Sequence, residues 1–163
     1  MIFALATPTG KAALAVFRIS GSGCHEVISK ILDKNIAEFN RVFLRKIIHD
    51  GVLVDVSTVV FYKSPKSYTG EDMVEVFCHG GFATLKKLID LFHNLNIREA
   101  EPGEFTKISV LNGKQTLNEA ESLLDLINST TDAEMNMALG VVAGELSNTC
   151  LLYTSPSPRD RIA

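Results

Sequence analysis

The chain has 163 residues, 46% of them hydrophobic, enough for one domain with a sizeable core and too apolar for a disordered tail. Its 16 basic and 19 acidic residues leave a net charge of -3, too mild to indicate membrane-surface or nonspecific nucleic-acid binding. Cys24, Cys78 and Cys150 lie far apart with no C-x-x-C pair, which argues against a disulfide framework or a zinc site and fits a reducing compartment.

The chain opens on two apolar runs, Ile2 to Ala6 and Ala13 to Ile19, around the loop Thr7-Pro8-Thr9-Gly10-Lys11, which reads as two strands joined by a turn. No basic stretch precedes the first run, Pro8, Gly10 and Lys11 interrupt it, and no segment reaches the ~18 apolar residues of a membrane span. A soluble, cytoplasmic protein is therefore expected. Ser20-Gly21-Ser22-Gly23 leads into a predicted helix from His25 to Leu32, with Val27, Ile28, Ile31 and Leu32 on one face.

Arg41 to His49 and Val52 to Tyr62 are rich in β-branched and aromatic residues. Asp50-Gly51 between them predicts a hairpin, because both turn positions tolerate positive φ. A polar loop, Lys63 to Gly70, precedes a strand from Asp72 to Cys78. Gly80-Gly81 then opens a helix whose stripe is Phe82, Leu85, Leu88, Ile89 and Phe92. Ile97 to Ala100 is short enough for an edge strand.

After Pro102 the pattern turns helical. Thr116 with Glu119, and Thr131 with Glu134, have capping-box spacing. The first helix has Leu123, Leu124 and Ile127 on its apolar face, and the second is expected to run to about Leu146. The fold class is α+β, a mixed sheet with packed helices over 1–114, followed by the first helices of an all-α region over 115–149. Residues 150–163 have turn chemistry without periodicity and resemble translated sequencing-adapter sequence, so a non-native tail is expected there, with the natural protein continuing past 149.

Two charges interrupt apolar strands, Arg18 between Phe17 and Ile19 and Glu75 between Val74 and Val76. Period-two alternation places Glu75 with Met73 and Phe77, opposite Val74, Val76 and Cys78. By pattern alone that face reads as simply solvated, as antiparallel sheets often are; were it buried, the charge would need a partner or a polar ligand. Cys78 in Cys78-His79-Gly80-Gly81 reads as a buried structural thiol, no third group completing a catalytic set. Gly113-Lys114 fails as a phosphate loop, because Ile108 and Gln115 stand where Gly and Ser or Thr are required.

Several stretches recur together in one family. They are Thr7-Pro8-x-Gly10, Arg18-Ile19-Ser20-Gly21, Ser67-Tyr68-Thr69-Gly70-Glu71-Asp72, Glu75-x-x-Cys78-His79-Gly80-Gly81, Glu101-Pro102-Gly103-Glu104-Phe105-Thr106, Leu111-Asn112-Gly113-Lys114 and Ala120-Glu121 with Asp125-Leu126-Ile127. In this order and spacing, over residues 1 to 149, the chain resembles the MnmE (TrmE) family.

The resemblance implies an N-terminal domain similar to tetrahydrofolate-binding, glycine-cleavage T-protein-like domains. It also implies a helical domain interrupted by a GTPase domain that lies beyond residue 149. It implies homodimers formed through the N-terminal domain, and a 5,10-methylene or 5-formyl tetrahydrofolate held by Arg18, Glu75 and Lys114. Whole family members use GTP, magnesium and potassium and work with the FAD-dependent partner MnmG on C5 of the tRNA wobble uridine.

A fragment so placed is not expected to complete catalysis alone, and no catalytic residue or metal ligand is assigned within it. The alternatives are a dimerisation scaffold without folate and a stand-alone folate-dependent one-carbon transferase. Ile108-Ser109-Val110 stands where the family usually has Arg-Ala-Phe, and Phe82 where it commonly has Pro.

Overall fold

The computed structural model describes residues 1–143. The expected end of the last helix near Leu146 and the 150–163 tail lie outside them. The chain divides into a first compact unit, Met1–Lys114, and a second that begins at Gln115.

The first unit is built on six strands: β1 (Ile2–Leu5), β2 (Ala12–Ser20), β3 (Val42–His49), β4 (Val52–Tyr62), β5 (Met73–Gly80) and β6 (Arg98–Glu99). They lie in the order β3-β4-β5-β2-β1-β6. All pairs are antiparallel except β1 with β6, which is parallel, so the sheet is mixed and the α+β reading holds. The β3–β4 hairpin turns at Asp50 (φ 49°) and Gly51 (φ 76°), the two left-handed residues that the dipeptide promised.

Alternation sorts the sheet into two faces. Ala15, Phe17 and Ile19 of β2, Val59 and Phe61 of β4, and Val74, Val76 and Cys78 of β5 are buried in one core. The helices α1 (Cys24–Ser29) and α2 (Phe82–Asn94) supply Cys24, Ile28, Leu85, Leu88, Leu91 and Phe92 to it. Burying each such side chain contributes roughly 1.5–3 kcal/mol.

Three expectations change. The first helix ends at Ser29 instead of Leu32, because the chain beyond it turns into the sheet: Ile31 O accepts from Ile48 N (2.7 Å), and Leu32 forms a bridge to Ile47. Phe82, placed on the apolar stripe of α2, is 83% exposed. It is the first residue of the helix, just past the end of β5, where the sheet no longer lies beneath it. The stripe instead takes in Leu91. Gly80 turns out to serve strand packing: a Cβ there would stand 2.6 Å from the Ala12 carbonyl oxygen.

Beyond the last β4–β5 register pair, Thr58 with Phe77, Asp55 takes over from the ladder. Its carboxylate accepts from the His79 N–H (3.1 Å), the His79 ring Nδ1 (2.7 Å) and the Ser57 hydroxyl (2.7 Å). Burial works to raise the Asp55 carboxyl, but hydrogen bonds from Ser57, His79 and the Val56 N–H outweigh it and hold the group below the usual 3.8. A depressed folded value stabilises the fold above the unfolded value, and that stability is lost as pH falls through the folded one. Asp55→Asn should therefore cost stability at neutral pH, and its deficit should shrink as acid is added below about pH 4. Urea unfolding across that range checks it; a deficit independent of pH contradicts it.

A third helix, α3 (Glu104–Leu111), follows Gly103, whose φ of 77° places it in the left-handed region before the first turn. Its Glu104 accepts from Arg98 Nη1 (3.0 Å) and from Arg98 Nη2 and the Glu101 N–H, which ties the helix start to β6.

The second unit contains α4 (Leu117–Asn128) and α5 (Asp132–Val142). Both expected capping boxes are present, at Thr116 with Glu119 and at Thr131 with Glu134. Leu117, Leu124, Ile127 and Met137 remain exposed. Among the described residues no helix is long and apolar enough to cross a membrane.

Candidate functional site

The sheet face away from the core helices carries the two charges that the sequence singled out. The register places Arg18 of β2 directly opposite Glu75 of β5. Arg18 Nε donates to Glu75 Oε1 at 2.8 Å, and the phenol of Tyr62 donates to Oε2 at 3.0 Å. Tyr62 reaches across because β4 pairs Val60 with Glu75, so Tyr62 is the diagonal neighbour on the same face. Burial, and then the hydrogen bond to Glu75, push the Tyr62 hydroxyl up to about 12, so it stays a proton donor at neutral pH.

Glu75 is only 8% exposed, so the solvated-face reading does not hold. Arg18 and Tyr62 lie against its carboxylate, and the segment from Lys63 to Asp72 meets β2 beside them. Tyr68 lies against the Arg18 guanidinium, 5.1 Å from ring centroid to Cζ, and its hydroxyl is 3.0 Å from Thr106 Oγ1 of α3. Ser20 Oγ donates to Glu71 Oε2 (2.9 Å) and so accepts from Thr69 Oγ1 (2.7 Å). Asn112 Nδ2 donates to the Thr69 carbonyl at 2.7 Å. At the base of the loop Asp72 accepts from the Ser64 N–H (2.9 Å) and Lys63 Nζ (3.1 Å).

Lys114 reaches this loop from the far end of α3, its Nζ donating to the Pro65 carbonyl at 2.9 Å. Gly70 (φ 79°) packs beneath it, where a Cβ would stand 3.1 Å from Lys114 Cγ and 3.1 Å from Asn112 Cβ. Arg18 and Glu75 thus touch each other, while Lys114 is tied to the covering loop.

Tyr62 was not singled out in the sequence. Its signal was its place at the end of a strand, legible only once the β4–β5 register is known. Cys78 is buried, as read from alternation. Burial first, and then the charge of Asp55, push its thiol up to about 11. Among the described residues no group of His, Cys, Asp and Glu could hold a metal ion.

The class defined so far is an α+β unit whose sheet carries a charged, loop-covered face opposite its helical core. The chain belongs to the family described as GTP-binding protein TrmE N-terminus, which matches residues 1–114. It is 48% identical over 150 residues to a tRNA modification GTPase MnmE of Thermotoga sp. (strain RQ2), covering 89% of this chain and 32% of that protein. The identically named proteins of Fervidobacterium nodosum and Aquifex aeolicus are 41% and 40% identical over 153 residues, covering 90% of this chain and 33% of each. The chain spans about a third of the length of these curated relatives.

Proposed function

We propose that the first unit binds a reduced folate, 5,10-methylene- or 5-formyltetrahydrofolate, for a GTPase that modifies C5 of the tRNA wobble uridine. The observation that carries this reading is the state of Glu75. A carboxylate accepts about four hydrogen bonds. Arg18 and Tyr62 supply one to each oxygen, which leaves one acceptor position per oxygen. That is what the adjacent N–H donors of a pterin edge require for bidentate recognition.

The remaining groups suit the rest of such a ligand. Arg18, paired with Glu75, belongs to the pterin end, and Lys114, at the covering loop, is a cation for the anionic glutamyl tail. Tyr68 offers an aromatic surface beside Arg18. When bound, the folate supplies the one-carbon unit; the residues here hold it, orient it and shield it from water.

GTP, magnesium, potassium, the tRNA and the FAD-dependent partner MnmG belong to the activity of the whole protein, and no P-loop pattern occurs in this chain. The first unit is proposed to pair with a second copy. Val42, Leu44 and Val56 are exposed on the sheet face that also carries Glu75, and they give such a pairing an apolar surface to cover.

Calorimetric titration of the full chain with 5-formyltetrahydrofolate, with mass from light scattering on the same samples, tests both proposals. Saturable binding by a dimer is expected, weakened at least about tenfold in Glu75→Gln through loss of the charged acceptor. A stable dimer that ignores folate would leave a scaffold unit.

A further inference from the structure

We propose that Tyr62 is a positioning residue for the pterin edge, its hydroxyl fixing the plane of the Glu75 carboxylate so that both remaining acceptor positions face the ligand together. The inference rests on the folate reading and adds to it a residue outside the Arg18, Glu75 and Lys114 set.

The terminal torsion of a glutamate is broad, so a carboxylate held at one oxygen swings about its last bond. Arg18 Nε holds only Oε1. The second hold is the Tyr62 bond to Oε2, which comes from a different strand and so from a second direction. Bidentate recognition needs both oxygens in the plane of the incoming donors, and a plane set before binding removes an ordering cost from the complex. Tyr62 can do this because its backbone is held: it ends β4, pairs with Met73, and its carbonyl lies 3.1 Å from the buried His25 ring. The hydroxyl also selects what Glu75 can be. A phenol donating to Oε2 leaves the carboxylate as an acceptor, so the site reads ligand donors and disfavours ligands that present acceptors at that edge.

The test uses the full chain and two probes. One is 5-formyltetrahydrofolate, followed by calorimetry. The other is N-(4-aminobenzoyl)glutamate, which carries the tail without the pterin, followed by NMR shifts. Tyr62→Phe keeps the ring and removes only the hydroxyl. It is expected to weaken the folate roughly tenfold and to leave the tail fragment within about twofold. In a Glu75→Gln background it should add little, since two residues acting through one contact are not additive.

Folate affinity unchanged in Tyr62→Phe would overturn the positioning role while leaving the folate reading standing. Equal losses for both probes, or additive losses with Glu75→Gln, would do the same, because a merely structural tyrosine gives that result. Failure of the unaltered chain to bind 5-formyltetrahydrofolate would overturn the folate reading and this inference with it.

Discussion

Arg18→Ala is expected to destabilise the first unit by about 2–4 kcal/mol, more than removing both members of the Arg18–Glu75 pair. The pair spans β2 and β5, two central strands, and Glu75 keeps only 11% of its side chain exposed. Removing the guanidinium strands a carboxylate that has a single remaining hydrogen bond, from Tyr62, and little water to replace the lost one. Arg18 is itself 35% exposed, which places the cost toward the lower part of the range for buried pairs. The double substitution Arg18→Leu with Glu75→Leu leaves no orphaned charge and should lie within about 1 kcal/mol of the unaltered chain. Chemical unfolding of the three proteins decides the matter: a double variant less stable than Arg18→Ala would mean that the pair contributes net stability to the sheet.

Local chemistry made the sheet legible. The Asp50-Gly51 turn, the face on which Glu75 lies and the two capping boxes all follow from interactions within a few residues, and they stand where the sequence placed them. What alternation could not show was what covers a face. It assigned Glu75 correctly to the side of Met73 and Phe77, yet nothing in a period of two indicates that a polar loop ten residues long will settle against the neighbouring Arg18 and Ser20. The contacts that hold that loop, Ser20 to Thr69 and Asn112 to Thr69, join segments more than forty residues apart. Family resemblance named Arg18, Glu75 and Lys114 as a set. It left Tyr62 unnoticed, because its role is fixed by strand register. The early end of α1 has the same origin: Ile31 and Leu32 continue a helical period, but a neighbouring strand offered their backbone a partner first.

The other large effect should come from the opposite side of the same strand. Phe17→Ala is expected to cost about 3–5 kcal/mol, a large part of the roughly 5–15 kcal/mol that holds a domain together. Phe17 is fully buried, with its ring centroid 5.3 Å from that of Phe92 on α2 and 6.4 Å from that of Phe3 on β1. Phe3 and Phe92 also meet, at 5.2 Å, so the three rings tie two strands to the helix. Truncating Phe17 leaves a void that paired strands on both sides cannot close, since it is registered with Leu5 and with Val76. Phe82→Ala is the control, an equally large truncation at an exposed position, and should stay within about 0.5 kcal/mol. Because Phe17 and Arg18 are neighbours facing opposite ways, the void left in the core and the proposed folate face share one stretch of backbone. If β2 relaxes inward to fill the void, Arg18 moves with it and folate affinity falls together with stability. If the sheet holds and the void stays empty, the folded fraction of Phe17→Ala binds as the unaltered chain does. Central strands bonded on both edges favour the second outcome; titration of the variant at low temperature, where it is mostly folded, distinguishes the two.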